Sequence, residues 1–257
     1  MTRALVLSGG GMFGAYQAGA WKVLAEAFQP DLIVGVSAGA LNGWALAGGC
    51  PPSELCASWT DPSANLMHLR FPFPPWQGVF DSVPLYRHVD DYFARFRPRL
   101  PFAVTIVDAL RMREVFVTGD KMTAAHLRAT CAIPFGFPPV RIEGRYYVDG
   151  GLLTTVPLWA AVEMGATSAI VINVLPYMPS RFLRATVGAF RAIVAPPALF
   201  PGVEVIKIFP AKPLGTVREA VSWKEENARR WIAQGERDAA AALTQLPPAH
   251  SPTTQER

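Results

Sequence analysis

Gly35-Val36-Ser37-Ala38-Gly39 sets a serine between two glycines at the spacing of a nucleophile elbow. In such a turn a strand ends, the backbone doubles back where a side chain would clash, and a helix begins. The Ser37 hydroxyl is lifted clear of the sheet at the positive end of that helix, and the Ala38 N–H points toward an oxyanion. The chemistry on offer is nucleophilic attack on an acyl carbon. A second cluster, Ser8-Gly9-Gly10-Gly11-Met12-Phe13-Gly14, also falls between a predicted strand and a predicted helix. Its three successive glycines expose N–H groups that can converge on an anion. Gly9, Gly11 and Gly14 fit the dinucleotide pattern G-x-G-x-x-G, which also needs an acid at the end of the second strand to hold a ribose. Asp31 has roughly the required separation but precedes that strand, whose end carries Gly35 and Ser37 instead. The competing reading, an oxyanion hole facing Ser37, fits better.

A serine nucleophile needs a base. His68 and His88 lie in a Pro-rich stretch, His126 inside a predicted helix and His250 in the C-terminal tail. None follows a strand end, where a triad histidine is normally presented. Asp149 does: it follows the predicted strand Tyr146–Val148 and precedes Gly150-Gly151. Aspartate before two glycines is also what an ordinary turn looks like, so its role depends on what it faces. Cys50, Cys56 and Cys131 have no metal or disulfide spacing and read as small buried thiols. No metal or other cofactor is expected.

These motifs need a frame that delivers strand ends to one edge. Short apolar runs at Ala4–Leu7, Leu32–Val36, Ala103–Val107, Val115–Val117, Ala169–Val174 and Val203–Ile208 read as strands. Val140–Ile142 and Tyr146–Val148 read as a hairpin around Glu143-Gly144-Arg145. Helical spacing covers Ala15–Phe28, Ala38–Ala47, Thr123–Thr130, Pro157–Met164 and one long charged stretch, Val217–Leu243. Between Gly48 and Arg99, prolines and aromatic residues suggest short helices and loops forming a lobe over one edge of the sheet. The alternation indicates an α/β fold, a three-layer sandwich with a mostly parallel central sheet. The first two parallel strands should be neighbours, so that both glycine turns emerge at the same sheet edge. No repeat or linker divides the chain, which reads as a single domain over residues 1–245 with a disordered tail at 246–257.

Taken together, Gly9–Gly14, Gly35–Gly39 and Asp149–Gly151, in that order, resemble the patatin-like phospholipase family. The likeness extends through Gly14-Ala15-Tyr16-Gln17-Ala18-Gly19, Ala129-Thr130-Cys131-Ala132-Ile133-Pro134, Phe137-Pro138-Pro139-Val140 and Tyr147-Val148-Asp149-Gly150-Gly151. It covers roughly residues 4 to 175. The resemblance implies a lipid acyl hydrolase with a Ser–Asp dyad and no histidine: Ser37 as nucleophile, Asp149 as base, and the Gly10 and Gly11 N–H groups as oxyanion hole. Two positions depart from the family pattern. Phe13 stands where Arg or Lys is usual, which questions a preference for anionic headgroups. Thr155 replaces an Asn before Val156-Pro157, where it can still cap the following helix.

Composition narrows the alternatives. With 51% hydrophobic and 17% charged residues, the chain is neither disordered nor a solvated coiled coil. The excess of 24 basic over 20 acidic residues, +4, lacks the concentrated stripe of a nucleic-acid binder. No run of 18 apolar residues predicts a spanning helix, and Ala4–Leu7 is too short for a signal-peptide core. The expectation is a soluble cytoplasmic protein, peripheral at the inner membrane surface. In Arg181–Val194, helical spacing gathers Arg181, Arg184 and Arg191 on one side and Phe182, Leu183, Val187, Phe190, Ile193 and Val194 on the other, a candidate lipid-facing helix. A carboxylesterase or thioesterase for small soluble esters would use the same dyad. A non-catalytic lipid-binding protein would retain the fold without needing Ser37 or Asp149.

Overall fold

The structure is a computed structural model and describes residues 1–70, 78–176 and 200–244. The expected arginine-rimmed helix Arg181–Val194 and the expected tail at 246–257 lie outside the described residues. The described strands are β1 (Arg3–Leu7), β2 (Leu32–Gly35), β3 (Phe102–Asp108), β4 (Arg113–Thr118), β5 (Val140–Ile142), β6 (Arg145–Asp149), β7 (Ser168–Ile172) and β8 (Glu204–Ile208). They form one mixed sheet. Its larger part is parallel, in the order β3-β2-β1-β7-β8, and β1 and β2 are neighbours as expected.

Pairing around β3 determines where the functional loops go. β4 occupies one edge of β3 in antiparallel register from Ala103 to Asp108. β2 pairs with Phe102–Val104 in parallel, and β6 pairs with Ile106–Asp108 antiparallel. A strand has two edges, so β2 and β6 share the second edge end to end. Their opposite directions bring both C-terminal ends to Thr105. The β5–β6 hairpin turns through Glu143 and Gly144, both at positive φ (48° and 81°), as a tight two-residue turn requires.

Side-chain alternation along the strands builds the layers. Leu5, Leu7, Ile33, Ile170 and Ile172 face one cluster, shared with α1 (Gly14–Leu24), α2 (Ala38–Ala47) and the C-terminal helix. Ala4, Val6, Leu32, Val34, Ala169 and Val171 face the other, covered by α6 (Leu158–Glu163). Helices thus flank both faces. α2 has the bounds read from the sequence and is buried along its whole length. Gly19 of α1 would place a Cβ 2.0 Å from the Ile232 carbonyl, so the C-terminal helix packs directly on the α1 backbone.

Three expectations need correction. The Pro-rich stretch holds two regular helices, α3 (Pro52–Thr60) and the 14-residue α4 (Ser82–Arg95). Pro84 is tolerated because it falls in the first turn, where no intrahelical N–H bond is lost. α4 packs mainly on α2 and α5 (Ala124–Thr130), not over a sheet edge. The charged stretch at 217–243 is two helices, α7 (Val217–Ala220) and α8 (Glu225–Leu243). It breaks where Trp223 turns aside to donate its indole N–H to the Trp59 carbonyl, 3.0 Å away. Thr155 does not cap α6; the N-cap residue is Pro157, and the Thr155 carbonyl accepts the Gly9 N–H at 3.0 Å. Among the described residues no helix is long and apolar enough to cross a membrane.

Candidate active site

Ser37 follows β2 after one residue, Val36, and carries φ 55°, ψ −129°, a conformation that costs a residue with a side chain strain energy. The turn closes so tightly that a Cβ on Gly39 would lie 2.5 Å from the carbonyls of both Leu7 and Ser8. Asp149 ends β6 on the shared edge of β3, level with Ile106. The convergence at Thr105 therefore brings together two residues far apart in the chain. Both are buried, Ser37 6% and Asp149 4% exposed. Burial raises the Asp149 carboxyl to a pKa of about 7. Hydrogen bonds from the Ser37 hydroxyl and the Gly151 N–H, the latter 2.7 Å from Oδ1, act in the opposite direction.

One stretch of chain holds the backbone of both residues. The Ser37 N–H donates to Thr130 Oγ1 at 2.9 Å, and the Thr130 hydroxyl donates to the Thr105 carbonyl at 2.9 Å. Two residues later the Ala132 carbonyl accepts the Asp149 N–H at 3.0 Å. Thr130 is fully buried. Thr130 lies in a family-like stretch of the sequence, but its residue type alone gives no sign of this role. Between these positions lies Cys131, whose buried thiol is pushed to high pKa by desolvation and then by the Asp149 charge, so it stays protonated and unreactive.

The glycine loop lies against the elbow: a Cβ on Gly9 would sit 3.3 Å from Ser37 Cβ. The Gly9 N–H is spent on Thr155, whereas those of Gly10, Gly11 and Ala38 have no partner among the described residues. Gly11, Ser37 and Ala38 line one cavity. Gly11 has φ +57°, and a Cβ there would meet the Ala220 carbonyl at 2.2 Å. A buried chain of side-chain amides and indoles holds this loop. Gln17 donates to the Ser8 carbonyl (2.7 Å), Asn42 to Gln17 Oε1 and the Gly14 carbonyl (both 3.0 Å), and Trp59 to Asn42 Oδ1 (2.9 Å). Asn42 and Trp59 gave no sign in sequence, because their partners come from other elements.

Of the remaining candidates, His88 lines the cavity and the other described ones are placed elsewhere. Asp31 holds the Arg3 N–H at 2.7 Å, at the start of β2 and so at the opposite sheet edge from the glycine loop; no ribose-binding acid faces that loop from there. Phe13 is buried and meets Trp231 edge to face at 4.9 Å, which directs it into the core. His126 Nδ1 accepts the Thr123 N–H at the start of α5, and His68 Nε2 lies 2.7 Å from the Asn65 carbonyl. His88 lies against Tyr92 with the rings tilted by 33° and lines the cavity, its pKa lowered by burial, so it is neutral at pH 7. His250 lies outside the described residues. Among the described residues no three His, Cys, Asp or Glu side chains gather as metal ligands. The cavity beside Ser37 measures about 50 Å³ and is walled mainly by apolar residues, including Leu41, Trp59, Leu66, Met67, Leu85 and Ile133.

A family profile for patatin-like phospholipases matches residues 5–162, a span that includes the glycine loop, Ser37 and Asp149. The protein YqhO of Bacillus subtilis (strain 168) is 26% identical over 199 residues, covering 60% of this chain and 65% of that one. Patatin-like phospholipase domain-containing protein 7 of Rattus norvegicus is 28% identical over 188 residues, 66% of this chain but 13% of the relative. The chain thus spans less than two thirds of either relative's length. Among solved structures, VipD from Legionella pneumophila shares the fold with a TM-score of 0.53 at 15% identity, over 95% of this chain and 67% of the other. By the extent of the profile match, reinforced by the shared fold, the chain belongs to the patatin-like phospholipase family.

Proposed function

We propose that this protein hydrolyses acyl ester bonds of lipids with Ser37 as nucleophile and Asp149 as the sole general base. The observation that carries the proposal is a buried carboxylate of raised pKa hydrogen-bonded to a serine on a strained turn. Ordinary aspartate, with a pKa of about 3.9, is a weak base for a hydroxyl. Desolvation makes Asp149 a better one while leaving it substantially ionised at neutral pH. In the first step Ser37 Oγ bonds to the ester carbon as its proton passes to Asp149. The carbonyl oxygen becomes an oxyanion facing the N–H groups of Gly10 and Gly11, with Ala38 beside them. Collapse expels the alcohol, which takes the proton from Asp149, and leaves an acyl-enzyme. Water, giving its proton to Asp149, then releases the fatty acid and restores Ser37. The apolar cavity supports an acyl chain as the group bound next to Ser37.

A fluorophosphonate probe followed by peptide mapping tests this without presupposing a substrate: labelling should fall on Ser37. A series of esters separates lipid from small soluble substrates. Rates should climb with acyl length and rise further above the aggregation point. Fast turnover of short esters with no such climb would favour the carboxylesterase or thioesterase alternative.

Thr130→Val should keep the shape of the site but remove the hydroxyl that joins Ser37 to β3. Two buried groups, the Ser37 N–H and the Thr105 carbonyl, then lose their partner, at about 1–3 kcal/mol each in stability. Turnover of a soluble ester should drop by about 10- to 100-fold with little change in KM, because a displaced nucleophile costs rate more than binding. Thr130→Ser should recover most of it. Equal loss in the Ser variant would show that packing of the methyl group, not the hydrogen bond, is what matters.

A further inference from the structure

Four exposed apolar residues gather beside the cavity that holds Ser37. Leu69 is 79%, Phe135 89%, Val83 47% and Val79 38% exposed. Backbone hydrogen bonds join the segments that carry them. The Arg70 N–H donates to the Val79 carbonyl at 2.9 Å, the Val79 N–H to the Phe135 carbonyl at 3.0 Å, and the Asp81 N–H to the His68 carbonyl at 2.8 Å. Val83 follows in the first turn of α4, which Asp81 caps. Single exposed apolar side chains are ordinary; four on adjoining segments are not. Phe135 adds a second oddity. It sits at φ 65°, a backbone conformation that bulky residues rarely adopt, and in that conformation its ring stays in solvent. The fold accepts both strain and exposure at one position.

The patch is continuous with the cavity wall. Met67, Leu85 and Ile133 line the cavity, each two residues from an exposed member: Leu69, Val83 and Phe135 respectively. The same three segments thus present apolar groups inward to the cavity and outward to solvent. Arg70 follows Leu69, and Arg87 lies one turn beyond Val83 on the same face of α4, placing cations at the patch border. Of the nearby acids, Asp81 is engaged with the Val83 N–H and Asp90 with Arg128, and Asp91 lies exposed one turn beyond Arg87. An apolar surface bordered by arginine, opening onto the apolar cleft beside Ser37, matches the boundary between lipid tails and phosphates.

We propose that Leu69, Val79, Val83 and Phe135 form the surface by which this protein docks on a lipid bilayer, so that an acyl chain passes from the membrane into the cavity beside Ser37. The proposal rests on the lipid-hydrolase reading above and names the face that meets the substrate phase. It is tested with the full chain carrying Ser37→Ala, floated with mixed phosphatidylcholine–phosphatidylglycerol vesicles that it cannot consume. Adding Leu69→Ser and Phe135→Ser should weaken vesicle binding at least tenfold, since each residue withdraws a large apolar group from lipid. The melting temperature should stay unchanged or rise, because neither side chain is packed. Arg87→Gln should weaken binding by about fivefold at low salt, and added salt should shrink that difference. Equal flotation of the double variant and its parent would overturn the proposal, as would a parent that does not float. A dimer seen by sedimentation and abolished by the double variant, with vesicle binding unaffected, would reassign the face to contact between two copies. The wild-type protein, assayed on soluble and lipid esters, reports separately on the hydrolase reading. If it hydrolyses neither, while the vesicle result holds, the docking surface stands and the catalytic proposal falls.

Discussion

Ser37→Ala is expected to lower ester turnover by about 10⁴-fold or more and to abolish fluorophosphonate labelling. The magnitude follows from removing the atom proposed to form the acyl-enzyme bond; in serine hydrolases the nucleophile and its base act as a unit. Folding should survive. The strained φ of 55° belongs to the turn, and alanine meets the same backbone constraint as serine. The Ser37 N–H remains available to Thr130, so the elbow retains its anchor. Kinetics on a soluble ester, mass mapping of the probe adduct and a thermal melt together check the claim. Substantial activity in a folded Ser37→Ala protein, or an adduct on another serine, would remove Ser37 from the mechanism.

Asp149→Asn is expected to cost about 100- to 10,000-fold in turnover, the usual worth of a general base, because the amide cannot accept the serine proton. Wild-type activity should climb with pH and level off above about 7, since the proposed base works in its ionised form. The same shift has a stability consequence of opposite benefit. The folded-state pKa lies above the unfolded value of 3.8. Below pH 3.8 both states hold the proton and no penalty exists. Between pH 3.8 and 7 the unfolded chain ionises first, so the Asp149 contribution grows unfavourable as pH rises, then reaches a plateau. Asparagine removes that penalty, so the dead variant should be more stable than wild type at pH 8, by a few kcal/mol, and should lose this advantage near pH 4. Denaturant melts at the two pH values measure it. The accompanying control is single replacement of His68, His88, His126 and His250 by alanine. Each should leave substantial activity, with His88→Ala acting on KM because it reshapes the cavity wall. A histidine as indispensable as Ser37 would require a triad.

The parts of this site that could be read in sequence are those encoded locally. A glycine-serine-glycine turn between an apolar run and a helix needs only neighbouring residues, and α2 begins and ends where its composition indicates. The glycine loop and the Asp149-Gly150-Gly151 turn are similarly short-range. Likewise the Glu143-Gly144 turn lies where the hairpin was read between two apolar runs. Reading failed where a distant partner decides. The helical pattern of 217–243 continues without interruption in sequence, yet Trp223 leaves it for the Trp59 carbonyl on another helix. Proline at position 84 looks like a break, but its place in a first turn makes it harmless.

Phe13 shows the same division. Its type could be compared with a family pattern, but only the packing of α8 shows its ring turned into the core against Trp231. The residue types proposed for acyl chemistry stand in the amino-acid order, and the local turns that present them were legible there, because turn geometry depends on φ, ψ and side-chain bulk over a few residues. Their meeting was not. Ser37 faces Asp149 because β2 and β6 share one edge of β3 and end at Thr105, and because Thr130 and Ala132 bind the two backbones across that gap. Strand register and edge choice arise from cross-strand pairing and burial between segments far apart in the chain, and no window of neighbouring residues contains that information.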